Sequence, residues 1–575
     1  MIKIALFSYL SSIQILITGY LFYLFSFKKE LDSKINIFEF GFYGIFLLSF
    51  ISIFLNFFIS LSKEINNIIF LIPLFIFLFF FKKNIFIKII TFSIPIAFLF
   101  VLTISYDTIY RPDAGLYHLP YVSIINESKI IVGVNNLHFR FGHTSIMQYL
   151  SALFNNHLFL NDGILIPLGL IYCHSLGYLI FEIFNKKNKD LIIIFFSLFA
   201  FSIFLMNRYG DFGNDAPAHF LFFYLICESL KKNDILYKIK KTTLISTFIF
   251  LNKVTLLLCF FVPIYFIIKN FKLKYIVNKI NFFSFIFLLL FLLKNFLVSG
   301  CLIFPVEQTC IKETFWYDYG SKRNSNAINT RLENEAWTKG WPDQENPKKD
   351  FELYLSDYNW IYTWSKNHGK YIIKKISPFL IFMSLIIAAV VTYEIKNNHY
   401  KKKEKKNFLT DSYILCLICI SGSILWFLKF PVFRYGYSYI ACGLGLILYI
   451  LLRNFAIFTN PERFKKILVS ILFLLLLSIS IKNIARLYPN LLINNEKKTT
   501  EWPNIYSENI NVDKIENIRI YKNGQFLFYK SKEGSCHYTS SPCTHYFYNT
   551  DFTLDEINLE TINTYKVFFF KKNLN

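Results

Sequence analysis

The sequence predicts an all-α polytopic membrane protein of about 13–14 transmembrane helices carrying a small C-terminal soluble domain, α+β or β-rich. Three observations carry this reading. The 575 residues are 54% hydrophobic, 20% aromatic and only 17% charged, where a soluble domain has about 25% charged. The apolar residues fall in long blocks, such as 85–106 and 281–299, and roughly 20 apolar residues let a helix cross the hydrocarbon core. Lysine-rich links alternate with these blocks. Across 28–37, 82–84, 185–190, 231–241, 269–280, 394–410 and 453–466, Lys and Arg outnumber Asp and Glu by 27 to 7.

In order, spans are expected at about 4–27, 38–61, 67–81 and 85–105. The first is too long for the apolar core of a cleaved leader and is read as a membrane helix. A polar loop, 106–143, follows, and then an apolar stretch, 144–160, that Gln148, Asn155, Asn156 and His157 interrupt. Such a pattern suits a helix lying along the interface. Further spans are expected at about 162–184, 190–206, 214–230, 242–269 and 281–299, and 242–269 is long enough to be a half-helix followed by a full one. Residues 300–375 form a second large loop with five of the seven Trp, and three or four more spans occupy 376–482. Domain boundaries therefore fall at 1–84 for three N-terminal helices and a link, 85–482 for the main transmembrane domain and 483–575 for the soluble domain. In that last piece, Arg519–Tyr529 places Asn523-Gly524 between two strand-like runs, a strong hairpin signal, and Tyr565–Phe570 reads as a final strand.

The formal charge of +23 does not point to nucleic acid, which calls for basic residues gathered on one solvated face. Here they sit between spans, and the positive-inside rule makes those links cytoplasmic. Both termini and the two large loops then face outward. Six cysteines (Cys173, Cys227, Cys259, Cys416, Cys419, Cys442) lie within apolar spans, where a small buried thiol needs no special role. Cys536 and Cys543 lie beyond the last span on the outward side, where a disulfide between them is expected.

Candidate chemistry gathers where loops leave the membrane. YDTIYRPDAGLYHLP places Asp107, Arg111, Asp113, Tyr117 and His118 just after a span, and NRYGDFGNDAPAH brings Arg208, Asp211 and Asp215 to the same face. Ionisable groups at membrane depth usually mark function, although a loop leaving the bilayer must be polar and Asp215 also suits a helix cap. Asp211 and Asp215 are compatible with a divalent cation or a sugar hydroxyl; the sequence does not require a metal. Lys253, Lys294 and Arg434 interrupt apolar stretches near the same face. Snorkelling alone would accommodate each, but three together suit an anion such as a lipid phosphate.

These residues sit in segments that resemble a known family. DAGLYHLP followed by NNLHFRFGHTSIMQYLSALF is similar to the first external loop of GT-C membrane glycosyltransferases. KNFLVSGCLIFP resembles the segment before their large external loop, and WFLKFPVFRYGYSYI their late Pro and Arg-aromatic segment. A similar series, with a C-terminal pair like CHYTSSPC, marks a group of bacterial multi-pass proteins. The likeness runs from about Ile85 to the end. It implies a GT-C-like transmembrane domain with external loops 106–160 and 300–375. It further implies transfer of a sugar from a polyprenyl-phosphate donor to an envelope glycan, lipid or protein, on the periplasmic side of a bacterial inner membrane. Asp113 matches the position of the family's general base; Asp107, Arg111, Tyr117, His118, Arg208, Asp211, Asp215, Lys253, Lys294 and Arg434 would bind substrate. The sequence departs from the family in lacking a second acid beside Asp113, and in Cys301 standing where Tyr or Asn is usual.

The residues alone are consistent with the same chemistry, since a carboxylate at the membrane lip can take a proton from an attacking hydroxyl while cations stabilise a departing phosphate. A lipid or polysaccharide transporter or flippase, or an envelope polysaccharide polymerase or ligase, would use a similar arrangement, and both remain open at this point.

Overall fold

The computed structural model describes residues 2–27, 36–103, 113–206, 213, 215–317, 326–341, 350–396, 406–452, 469–482, 485, 519–523, 526–531, 535–544, 557–562 and 564–570. Apolar chain in lipid must satisfy its backbone internally, and helices dominate accordingly. They are α1 (Ile2–Phe27), α2 (Phe38–Asn56), α3 (Lys63–Phe79), α4 (Lys83–Thr103), α5 (Leu119–Glu127), α6 (Ile146–Leu153), α7 (Ile166–Phe184), α8 (Ile192–Leu205), α9 (Asp215–Leu230) and α10 (Ile235–Asn252). There follow α11 (Phe261–Lys269), α12 (Leu273–Ile276), α13 (Lys279–Ser299), α14 (Asn326–Thr338), α15 (Phe351–Leu355), α16 (Trp360–Trp364), α17 (Lys370–Lys396), α18 (Lys406–Lys429), α19 (Phe433–Leu452) and α20 (Val469–Lys482).

Among the described residues, eight helical stretches are long and apolar enough to cross a membrane, and three shorter apolar helices accompany them. The protein is therefore a multi-pass membrane protein. Exposed Phe75, Phe79, Phe98, Ile268, Phe282 and Leu385 lie on the rim of the bundle, as lipid-facing positions require. Close helix contact rests on small residues, as is usual between membrane helices. A Cβ at Gly19 of α1 would fall 1.7 Å from the Phe40 carbonyl oxygen of α2, so only glycine admits that approach.

The chain does break within 242–269, but the longer helix precedes the break and the shorter one follows it. Helix α10 ends at Asn252, Lys253 is extended, and a 3-10 turn (Val254–Phe260) leads into α11. Helix α6 departs from expectation. All eight of its residues are buried, so it packs inside the protein instead of lying along the interface. The polar side chains that interrupt the stretch have protein partners: Gln148 meets His118 at 3.2 Å, and Asn155 donates to Asn126 and Tyr538.

A network of charges ties four helices together at one end of the bundle. Lys231 lies 2.6 Å from Glu228 (α9), 2.7 Å from Glu182 (α7) and 3.5 Å from Glu39 (α2), while Lys241 (α10) lies 2.6 Å from Glu39 and 2.7 Å from Glu228. Tyr178 donates to Glu228 at 2.5 Å, and Asn36 and Asn188 donate to Glu182. All five charged side chains are buried. Every carboxylate oxygen thus faces a cation or a donor, which buried charge demands.

The C-terminal segment forms strands. β1 (Arg519–Asn523) and β2 (Phe526–Lys530) make the expected antiparallel hairpin, Arg519 opposite Lys530; its turn residues 524–525 lie outside the described residues. β3 (Cys543–Thr544) adds in parallel to β2, and β4 (Ile557–Ile562) pairs antiparallel with β5 (Tyr565–Phe570). These strands dock on the first loop. The Val132 N–H donates to the Lys566 carbonyl at 2.9 Å, the Phe568 N–H donates to the Val132 carbonyl at 2.8 Å, and Tyr565 reaches the Phe57 carbonyl.

Candidate functional site

The other end of α9 carries a second charged cluster. Glu228 and Asp215 are thirteen residues apart on one helix, which separates the two clusters by roughly 20 Å at 1.5 Å per residue. Here the N-termini of α9 and α19 meet the C-terminus of α10 and the start of the first loop.

Asp113 stands immediately before a π-helical turn (Ala114–His118) that continues into α5. Its Oδ1 accepts from Arg140 Nη1 at 3.2 Å, and its Oδ2 lies 3.7 Å from Arg434 Nη2. Arg434 Nε is 3.4 Å from Asp215 Oδ2, and Lys253 Nζ pairs with Asp215 Oδ1. Five charged side chains from four segments therefore alternate in sign: Arg140, Asp113, Arg434, Asp215, Lys253. Aromatic rings wall them in. Lys253 Nζ lies 3.7 Å from the Tyr435 ring centroid, Arg434 lies 5.2 Å from Tyr435 and 6.0 Å from Trp337, and Arg140 lies 5.3 Å from Tyr117. Trp337 on α14 is 45% exposed, leaving part of its indole open beside the cations.

Arg434 is the hinge of the chain and is incompletely satisfied. Its distances to the two carboxylates exceed the ~2.7–2.9 Å of charge-assisted hydrogen bonds, and its buried Nε has no hydrogen-bond partner. A guanidinium in that condition retains donors for an incoming oxyanion. Its backbone is fixed from α9, since one His219 ring nitrogen lies 2.6 Å from the Arg434 carbonyl and the other 2.5 Å from Ser438 Oγ. Lys253 can reach Asp215 because the helix breaks at that residue.

The surrounding histidines are neutral at physiological pH. Burial pushes the His118 imidazole down to about 4 and His143 down to about 3. Burial, with Asp113 beside it, holds the Tyr117 phenol above its ordinary range. His143 is also 3.3 Å from Asn334 of α14, which brings that helix over the cluster.

Of the residues expected from sequence, the structure brings together Asp113, Asp215, Lys253 and Arg434, with Tyr117 and His118 beside them. Asp107, Arg111, Arg208 and Asp211 lie outside the described residues, and with them the Asp211–Asp215 pair considered for a cation. Among the described residues no three His, Cys, Asp or Glu side chains gather as a metal site. Lys294 stands apart from the ion chain: fully buried, it is held by Thr144, by Asn295 at 2.6 Å and by the Phe291 ring. Its link to the site is indirect, through Ser145 beside Thr144, whose hydroxyl is 3.1 Å from Asn252. Arg140 was not singled out by sequence, although it lies within the same loop.

Both disulfides fall in the segments expected outside the spans. Cys536–Cys543 is the expected one, and Cys301–Cys310 joins two further cysteines nine residues apart. The six span cysteines are free and buried.

Fold and site together define a multi-pass helical membrane protein with a mixed-charge, aromatic-lined site where loops meet helix ends. Residues 1–441 match the family described as Domain of unknown function (DUF8201), and the chain belongs to that family. The matched stretch holds all five charged residues of the cluster. No curated protein and no solved structure matches the chain.

Proposed function

We propose that this protein is a membrane glycosyltransferase of the GT-C type, which binds a polyprenyl-phosphate-linked sugar at the Asp113–Arg434–Asp215 cluster and transfers the sugar to an acceptor in the cell envelope. The observation that carries the reading is Arg434, a half-buried guanidinium whose buried Nε has no hydrogen-bond partner and which is flanked by two carboxylates from different segments.

The chemistry follows from that geometry. A donor phosphate entering the cluster competes for Arg434 and Arg140, whose forked donors suit phosphate oxygens. As the guanidiniums turn to the phosphate, the Asp113 carboxylate is released from them and becomes free to accept a proton. An acceptor hydroxyl then attacks the anomeric carbon, its proton passing to Asp113, while the bond from that carbon to the phosphate oxygen breaks. Polyprenyl phosphate leaves with the bonding pair, its charge held by Arg434, Arg140 and Lys253. The open indole of Trp337 offers a face to a sugar ring. Under the charge-bias rule this end of the bundle faces outward, which in a bacterial inner membrane is the periplasm.

The test is glycosyl transfer by the full-length protein in nanodiscs, with polyprenyl-phosphate sugars as donors and envelope extracts as acceptors. Donor turnover that Asp113→Asn abolishes supports the reading, and failure to bind any polyprenyl phosphate overturns it.

The buried Glu39–Glu182–Glu228–Lys231–Lys241 network favours a second reading, transport, because ionisable groups within membrane bundles often line ion or proton paths. Movement of a labelled polyprenyl-phosphate lipid across proteoliposomes, without glycosyl transfer, would replace the first reading with this one.

A further inference from the structure

The closed loop between Cys536 and Cys543 is seated on the turn that carries Asp113. The His537 N–H donates to the Gly115 carbonyl at 2.8 Å. Its ring fills the space beside Gly115, where a Cβ would come within 2.5 Å of His537 Cε1. Next along the loop, Tyr538 Oη lies 3.1 Å from Asn126 Oδ1 and receives a bond from Asn155, and Ser123 donates to the Thr539 carbonyl. Glu127 accepts from both the N–H and the hydroxyl of Ser541, at 2.9 and 3.0 Å. The loop thus grips the turn and α5 from Gly115 to Glu127. His537 also holds a left-handed backbone, φ 50°, which a non-glycine residue adopts only where its surroundings enforce it. The disulfide that closes the loop is buried at both cysteines.

We propose that the disulfide-closed loop 536–543, acting through His537, is a positioning element that sets the geometry of the Asp113 turn, so that the far C-terminus of the chain is a working part of the anion site. The proposal rests on the reading of Asp113 as a member of that site. Asp113 has no cap or side-chain bond within its own turn. Its carboxylate is held from across the first loop by Arg140, while the backbone that aims it leans on His537 through the Gly115 carbonyl. The loop lies beyond residue 441, outside the matched family stretch, yet supplies part of the support for a residue inside it.

The pair Gly115 and His537 allows a rescue test. In full-length protein in nanodiscs, Gly115→Ala, His537→Ala and the double variant are compared with wild type by hydrogen exchange over residues 114–127 and by equilibrium binding of a short-chain polyprenyl phosphate. Gly115→Ala should speed exchange in 114–122 without lowering the melting temperature, and weaken binding about tenfold, the worth of one misdirected charge-assisted hydrogen bond. Removing the ring in the double variant should restore both readouts to those of His537→Ala. If Gly115→Ala does not fold, Cys536→Ser/Cys543→Ser should give the same local rise in exchange. The proposal is overturned if exchange in 114–122 is unchanged, if the double variant shows no recovery, or if exchange rises while affinity stays at the wild-type value. Should wild type bind no polyprenyl phosphate, the functional reading falls, and the exchange data alone decide whether the loop governs the turn.

Discussion

Replacing Arg434 with lysine keeps the charge and removes the fork. The guanidinium spans two carboxylates, Nη2 at 3.7 Å from Asp113 and Nε at 3.4 Å from Asp215, with Tyr435 Oη 3.4 Å from Nη2. A single ammonium cannot occupy both places. On a phosphate the fork makes two charge-assisted bonds worth about 1.5–3 kcal/mol each, so losing one predicts binding weaker by roughly 10- to 100-fold. Long-range attraction is retained, and the salt dependence of binding should therefore change little. The His219 contact is to the Arg434 backbone, so it survives the substitution and folding should be preserved. The assay is equilibrium binding of a polyprenyl phosphate to protein in nanodiscs across a salt series, alongside a thermal melt. Wild-type affinity in Arg434→Lys would refute the argument and leave the arginine as a membrane anchor.

Asp113→Asn should bind donor at least as well as wild type but turn it over about 100-fold or more slowly, the usual worth of a general base; single-turnover kinetics separates the two steps. Lys241→Met leaves Glu39 and Glu228 sharing one ammonium, and breaking a buried pair costs about 3–5 kcal/mol, so its melting temperature should fall sharply and recover in part with Glu39→Gln. His118 is held neutral in the fold, at about 4 against an ordinary value of 6.5. The unfolded chain therefore binds more protons between those limits, and stability should be full above pH 6.5 and decline as pH falls towards 4, by on the order of 3 kcal/mol for this residue. Melting curves of wild type and His118→Gln across that window check the sign, since the variant should lose part of the slope.

Much of this was legible because membrane helices announce themselves by length and apolarity. That Asp113, Asp215, Lys253 and Arg434 lie near one face was readable from charges interrupting apolar runs, whereas the position of the break, at Lys253, was not. The Cys536–Cys543 pair followed from position beyond the last span. Other features depend on contacts that local pattern does not encode. Lys231 and Lys241 read as ordinary loop charges, and only the bundle shows them turned inward to Glu39, Glu182 and Glu228; three lone glutamates at the ends of apolar spans were the available signal. Helix α6 looked interfacial because its polar residues interrupt an apolar run, and the partners that let it be buried, His118, Asn126 and Tyr538, lie far away in sequence. Cys301 and Cys310 could have been paired from their spacing and shared loop.

The order of synthesis gives the buried charge network a consequence in time. Glu39 is made 202 residues before Lys241, and Glu182 49 residues before Lys231. As α2 and α7 leave the ribosome and enter the bilayer, their carboxylates have no ammonium to meet, and an unpaired ionised group in a membrane helix is held there only at a cost. The deficit ends when α9 and α10 arrive together bringing both lysines. A nascent chain halted before Lys231 would thus hold three unanswered acids, Glu39, Glu182 and Glu228, which marks the α9–α10 hairpin as the point at which the first half of the bundle becomes committed to its final packing.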